Sequence, residues 1–426
     1  MLEDVLAEDK AEYNWAGNLR YSAAEIAHPS SLEELRALVA AAPSVRAVGT
    51  RHSFNDIADS SALMVSLEKL SSAPVLDEAA LIVTVDAGMR YGELAGFLAE
   101  HGYALHNLAS LPHISVAGAV ATATHGSGDR NGNLATAVAA LELVTADGDV
   151  LRVDRSSPDF NGMVVSLGAV GIFTRITLEI EADYEVRQDV FTGVPWSSVE
   201  ENFDAITSAA YSVSIFSSLA GPEASQVWLK SRTDADLPYA GKAGFFGGSA
   251  AVEPLHPLPG ISAVSCSEQM GVPGSWSDRL SHFRLAFTPS NGDELQSEYL
   301  VERSSAVAAI RILRGMSAEI APLLQICEIR TIARDDLWLS SSYGRESVGL
   351  HFTWKPRQAE VEALLSRIEA ALAPLRPRPH WGKLFTLERP QLQELYPRFG
   401  DFSDLARRMD PQGTFVNPFL KRNVLG

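Results

Sequence analysis

Apolar positions in the first part of the chain fall in short runs whose period switches between helix and strand. From Ser31 to Ala42, the spacing of Leu32, Leu35, Leu38 and Val39 behind a capping serine predicts an amphipathic helix. Val45–Val48 predicts a strand, and Leu81–Val85 predicts another, closed by Asp86-Ala87-Gly88. Tyr91–His101 reads as a helix stopped by Gly102. Ala140–Thr145 and Val150–Val153 flank Ala146-Asp147-Gly148-Asp149, a hairpin signal, and Ile172–Ile180 alternates like a half-buried strand.

The pattern changes after about Asp183, where strands and helices lengthen. Leu237–Gly260 is irregular and rich in Gly and Pro, which suits either a surface loop or a flap over a site. Three later segments alternate strictly. Gln296 and Glu298 share one face of Glu294–Leu300, and Glu328 and Arg330 share one face of Ile326–Ile332. His351 and Thr353 lie opposite Val348, Leu350, Phe352 and Trp354. If these strands are neighbours with their apolar face on helices, Gln296, Glu328, Arg330, His351 and Thr353 line one floor. Glu328 and Arg330 offset each other there, which suits a neutral, hydroxyl-rich ligand. A solvated sheet face carrying a surface ion pair is the bland alternative. The last forty or so residues are short, Pro-punctuated and Phe-rich, as if returning to the first domain.

Composition narrows the classes. The chain has 426 residues, 46% apolar and 21% charged, enough for two or three domains with a large core. Its formal charge of −18 argues against nucleic acid or an anionic membrane surface as partner, so an anionic ligand needs a local cluster of donors. Cys266 and Cys327 have neither zinc nor redox spacing and read as free thiols in a reducing cytoplasm. The acidic start, Met1–Asp9, lacks a secretory pattern, and no apolar stretch is long enough to span a bilayer. The ten histidines are scattered without ligand spacing to carboxylates, so no metal is expected.

Two segments carry the candidate chemistry. In Gly49-Thr50-Arg51-His52-Ser53-Phe54-Asn55, a glycine turn directly after a strand can hold an anion on backbone N–H groups, with Ser53 and Asn55 as further donors. His52 could then reach a ring attached to that anion; a surface or capping role also fits it. The second segment, Ser110 to Gly128, is a run of tiny residues in which backbone must lie close against something flat or bulky, a cofactor or simply a packed helix. Ser115, Thr122 and Thr124 add hydroxyls. It is neither G-x-G-x-x-G nor a P-loop.

These two segments, followed by Gly168-Ala169-Val170-Gly171, resemble the vanillyl-alcohol-oxidase type of FAD flavoprotein, and within it the alditol oxidase branch that includes xylitol and sorbitol oxidases. The resemblance covers essentially the whole chain. It implies an α+β fold in which residues 1–183 and 380–426 bind FAD. Residues 184–379 would form a substrate domain, a mixed or antiparallel sheet covered by helices. It implies that His52 bonds covalently to the C8α methyl of the flavin, with Arg51 standing where many relatives have glycine. It further assigns Gly49, Thr50, Arg51, Ser53, Phe54, Asn55, Ser110, Ser115, Gly118, Thr122, Thr124, His125, Gly126, Gly171 and Ile172 to FAD. Lys383, in the aromatic segment Pro379–Phe385, would act with Arg330 and His351 on the reacting hydroxyl. Ser110, Gln296, Glu328 and Thr353 would bind the rest of a polyol. The expected reaction is hydride transfer from a terminal CH₂OH to flavin N5, with O₂ reduced to H₂O₂, by a monomer or weak oligomer. A same-fold lactone dehydrogenase with another electron acceptor is the near alternative. A non-catalytic sugar-binding protein is the distant one.

Overall fold

The computed structural model describes residues 13–287 and 294–426, so the Met1–Asp9 segment read above lies outside the described residues. Ser31 accepts a hydrogen bond from the Glu34 backbone and starts the Leu32–Ala41 helix, which buries Leu35 and Val39. Val45–Val48 pairs in parallel with Leu63–Ser66, whose other edge takes Glu25–Ala27. A second, antiparallel sheet has the spatial order Val75–Asp77, Ile82–Asp86, Ile172–Glu179, Val138–Val144, Val150–Asp154. Its final hairpin turns at Gly148, as the pattern predicts. The strand expected from Leu81 begins one residue later, because Leu81 has φ +51 and belongs to the preceding turn.

Among the described residues, the third sheet has ten strands and is antiparallel throughout its pairings. At its centre lie Glu223–Arg232, Ser212–Ser217, Leu324–Ile332, Ser347–Trp354 and Leu295–Glu302, in that spatial order. One face follows the period of two: Tyr299, Val301, Cys327, Ile329, Val348, Leu350, Phe352 and Trp354 are buried with side chains of Ala306–Gly315 and Gln358–Leu372. Burying that face on helices is the main apolar driving force here, and it leaves the polar face for a ligand. Part of the irregular Leu237–Gly260 stretch forms a small hairpin, Gly244–Phe245 with Gly248–Ala250, added to the edge strand Glu185–Pro195.

Two large cores result. The first gathers the parallel and five-stranded sheets with Phe399, Phe402, Phe415, Phe419 and Leu420 from the carboxyl-terminal residues. Val45 donates to Thr414 O, and the Asn417 amide donates to the carbonyls of Asp56, Ile57 and Asp59, which fixes that return. Trp276, Leu280 and Leu337–Leu339 also pack in this first core, although they lie within the 184–379 stretch. The loop after Leu324–Ile332 carries the last three across, bonded through Ala333 N to Asn131 O and Trp338 N to Asn161 O. Cys266 and Cys327 are buried free thiols. Among the described residues, no helix is long and apolar enough to cross a membrane.

Candidate active site

The turn after Val45–Val48 brings Arg51 to φ +64, a left-handed conformation that glycine adopts at less cost. This places His52 against Trp15, rings stacked at 5.2 Å, with Nδ1 3.0 Å from Thr50 Oγ1. Its other nitrogen, Nε2, is buried and has no partner. Burial, with His113 nearby, pulls the His52 pKa down to about 4, so the imidazole is neutral at pH 7. The small-residue segment meets this turn at Ser115, whose N–H donates to Thr50 Oγ1 at 3.3 Å. A Cβ on Gly49 would lie 2.2 Å from Ser115 Oγ, and one on Gly118 would lie 2.9 Å from the same atom. The contact between the two segments therefore favours glycine at 49, and the approach of Ser115 within its own segment favours glycine at 118.

Turn, segment and polar floor border one cavity of about 1090 Å³. Of the residues assigned to FAD, Gly49, Thr50, Arg51, His52, Ser53, Phe54, Ser110, Ser115, Gly118, Thr122, Thr124, His125 and Gly171 line it. Asn55, Gly126 and Ile172 do not. The Asn55 amide donates to Trp381 O and Lys383 O, tying the turn to the Lys383 segment. Gly126 packs on Asn107 and Leu108, and Ile172 is a core residue paired with Val144. Thr122 is on the wall but donates to Gly118 O at 2.8 Å, so its proton is engaged. His256, Pro257 and Leu258 line the same cavity, so the end of the Leu237–Gly260 stretch reaches the site.

Register brings the floor together. Gln296 stands opposite Thr353 and Glu298 opposite His351; on the other side of Ser347–Trp354, Glu328 faces His351. Arg330 donates to Ser110 Oγ at 3.2 Å and to Glu298 Oε1 at 2.9 Å. Lys383 donates to Glu298 Oε2 at 2.6 Å. His125 Nε2 lies 3.2 Å from Glu298 Oε1 but without hydrogen-bond alignment. Glu294 accepts from the Gln296 amide at 2.7 Å, and Gln296 Oε1 lies 3.1 Å from His351 Nε2. A carboxylate only accepts, so the Gln296 oxygen faces His351, Nε2 carries the proton, and Nδ1 is left bare and unpartnered.

Charge follows geometry. Burial would raise the Glu298 carboxyl, but Lys383, His125 and Arg330 together hold it well below the usual carboxylate range. Burial pulls Lys383 down, opposed by Glu298. Burial, helped by Lys383, holds His351 well below the ordinary histidine value, so it is neutral. Glu328 is also kept ionised against burial, by Arg330 and His282. Glu298 and Glu328 thus offset Lys383 and Arg330 on the floor, with the Glu294 carboxylate beside them on the Gln296 amide, giving a pocket of many donors and acceptors. Glu298 shares its strand face with Gln296, yet its role as the hub between Lys383 and Arg330 depends on contacts 85 and 32 residues away. His282, which bonds Glu328, comes from a loop with no sequence signal of its own.

Comparison with known proteins accords with this geometry. Residues 23–154 match the FAD binding domain family, and residues 289–423 match the D-arabinono-1,4-lactone oxidase family. The chain is 47% identical over 411 residues to an alditol oxidase of Streptomyces sp. (strain IKD472 / FERM P-14339), covering 96% of this chain and 97% of that protein. It is 27% identical to an L-gulono-1,4-lactone dehydrogenase of Mycobacterium tuberculosis, over 97% of this chain and 98% of the other. In fold it is similar to cholesterol oxidase from B. sterolicum, with TM-score 0.76 at 13% identity, over 96% of this chain and 95% of that one.

Proposed function

Because the chain belongs to the alditol oxidase family of FAD-dependent oxidoreductases, we propose that it oxidises the terminal CH₂OH of polyols such as xylitol and sorbitol to the aldose, with O₂ reduced to H₂O₂. The observation that carries this reading is the floor: Gln296, Glu328, Arg330, His351 and Thr353 on one sheet face, with Lys383 beside them on the same cavity as His52. Sites that pair substrate hydroxyls discriminate against analogues lacking them, since buried polar groups are then left unpaired.

The residues at the turn fit FAD. The buried, unpartnered Nε2 of a neutral His52 supports attachment of the flavin there as an 8α-histidyl bond. Gly49, Thr50, Ser53, Ser115, Gly118 and Thr124 supply the surrounding wall. When bound, FAD supplies the two-electron acceptor that takes hydride from the substrate carbon and is returned to its oxidised form by O₂. Lys383 and Arg330 orient the C1 hydroxyl by donating to its oxygen, and their charge is held in place by Glu298. Together with the neutral His351 beside them, they accept or relay the hydroxyl proton. Ser110, Gln296, Glu328 and Thr353 bind the remaining hydroxyls.

A polyol panel assayed for peroxide tests this, with Lys383→Met and Glu328→Ala as controls. Xylitol-dependent peroxide in the parent and its loss in both variants is the expected result. A lactone dehydrogenase activity, the second and less favoured reading, draws on the 27% identity to the L-gulono-1,4-lactone dehydrogenase; it predicts turnover of aldonolactones without peroxide under air.

A further inference from the structure

Behind the floor lies a buried lysine that the proposed reaction does not use. Lys230, on Glu223–Arg232, is 1% exposed. Its ammonium donates to Leu280 O at 2.6 Å and Ser281 O at 2.8 Å, and its third contact is His282 Nδ1 at 3.2 Å. An ammonium has three protons and no lone pair, so these three contacts use all its donors and oblige Nδ1 to accept. The ring proton of His282 is then on Nε2, which lies 2.7 Å from Glu328 Oε1. Phe216 and Trp228 hold the ring edge-on at 5.6 and 5.2 Å. The same loop is anchored to the small-residue segment: Ser281 Oγ donates to Ala109 O, and His282 N donates to Ser110 O.

We propose that Lys230 and His282 form a positioning clamp, in which Lys230 fixes the His282 tautomer and His282 presents the Glu328 carboxylate to the hydroxyls of the substrate. The clamp rests on the reading of Glu328 as a polyol contact. Glu328 Oε1 is occupied from behind by His282, with Arg330 Nε at 3.7 Å, which leaves its other oxygen for the ligand. Lys230 is not on the cavity wall, and His282, which borders it, has Nδ1 engaged by Lys230 and Nε2 by Glu328, so both act through Glu328 and through the loop that carries Ser110.

The clamp has a sign in pH. The charged or titratable groups facing it are Glu328, Cys266 and Arg279 around Lys230, and Glu328, Lys230 and Arg330 around His282. Burial pulls Lys230 down to about 7, against the opposing pull of Glu328, while the Cys266 thiol is pushed up to about 11 and stays neutral. Once Lys230 loses its proton, its two remaining N–H groups go to the carbonyls and its lone pair faces Nδ1. The ring proton must then move to Nδ1, and a bare Nε2 meets the Glu328 carboxylate. Polyols do not titrate in this range, so their binding weakens because of the protein as pH rises through about 7.

The test is the pH dependence of kcat and kcat/KM for xylitol in the parent, Lys230→Met, His282→Phe and His282→Gln. A bond to a charged group supports a rise in KM of about tenfold to a hundredfold in K230M and H282F at low pH. In both, kcat should be largely kept and the limb near neutrality abolished. H282Q, whose amide can accept from Lys230 and donate to Glu328, should recover much of the lost affinity. An unchanged KM and an unmoved limb in K230M would overturn the clamp. Should the variants not fold, ¹⁵N NMR of His282 in the substrate-free flavoprotein decides it: Nε2–H at low pH supports it and Nδ1–H overturns it. That readout stands whether or not xylitol is turned over, whereas absent turnover in the parent counts against the polyol reading alone.

Discussion

Replacing Glu298 by glutamine asks whether the floor works as one electrostatic unit. The carboxylate takes Lys383 on one oxygen at 2.6 Å and Arg330 on the other at 2.9 Å, and its side chain has 0% exposure. Glutamine keeps the shape and one oxygen, but its NH₂ must face one of the two cations. Removing one member of a buried ion pair costs about 3–5 kcal/mol, because the remaining charge loses its partner. Part of that cost is relieved if Lys383 gives up its proton. Burial already lowers Lys383 and Glu298 opposes this, so losing the carboxylate lowers it further. Any limb of kcat/KM that requires the Lys383 cation therefore moves to lower pH in E298Q. At pH 7 the loss of one charge-assisted bond predicts a fall in kcat/KM of about a hundredfold. The assay is peroxide release from xylitol across the stable pH range, with thermal unfolding alongside. An E298Q protein with the parent's kcat/KM and an unmoved basic limb would refute the reasoning.

His52→Ala should give a protein whose acid-precipitated pellet is colourless, whereas the parent's pellet stays yellow; a yellow H52A pellet would place the attachment elsewhere. Gly49→Ala drives a Cβ to 2.2 Å from Ser115 Oγ, an overpacking cost of about 1–3 kcal/mol, measured as a lower Tm. Ser115→Gly in the same chain should recover most of it. Arg51→Gly removes a left-handed non-glycine residue, a relief of about 1 kcal/mol, so its Tm should be no lower than the parent's with flavin retained. A drop of several degrees would mean that the Arg51 side chain outweighs the backbone term.

What could be seen in the sequence was what local periodicity encodes. Alternation alone puts Gln296, Glu328, Arg330, His351 and Thr353 on one face each, and register then makes the three faces one. The turn at His52 follows a strand and a glycine, again a local rule. What escaped is set by long-range contacts. Glu298 obeys the same alternation as Gln296, but only the fold brings Lys383 to it. Lys230 and His282 lie on another strand and a loop, joined by hydrogen bonds that no spacing announces. Asn55, Gly126 and Ile172 show the converse. They neighbour site residues in sequence, yet Asn55 bonds toward the Lys383 segment while Gly126 and Ile172 serve packing. Trp276 and Leu337–Leu339 crossed into the first core because a loop carries them there, which composition does not reveal.

The most direct test of the account is to add xylitol anaerobically to the purified yellow protein and follow its visible absorption. The account predicts that the flavin band bleaches with xylitol and returns on admitting air, with one H₂O₂ formed for each aldose. A band unmoved by xylitol or sorbitol yet bleached by an aldonolactone would contradict it.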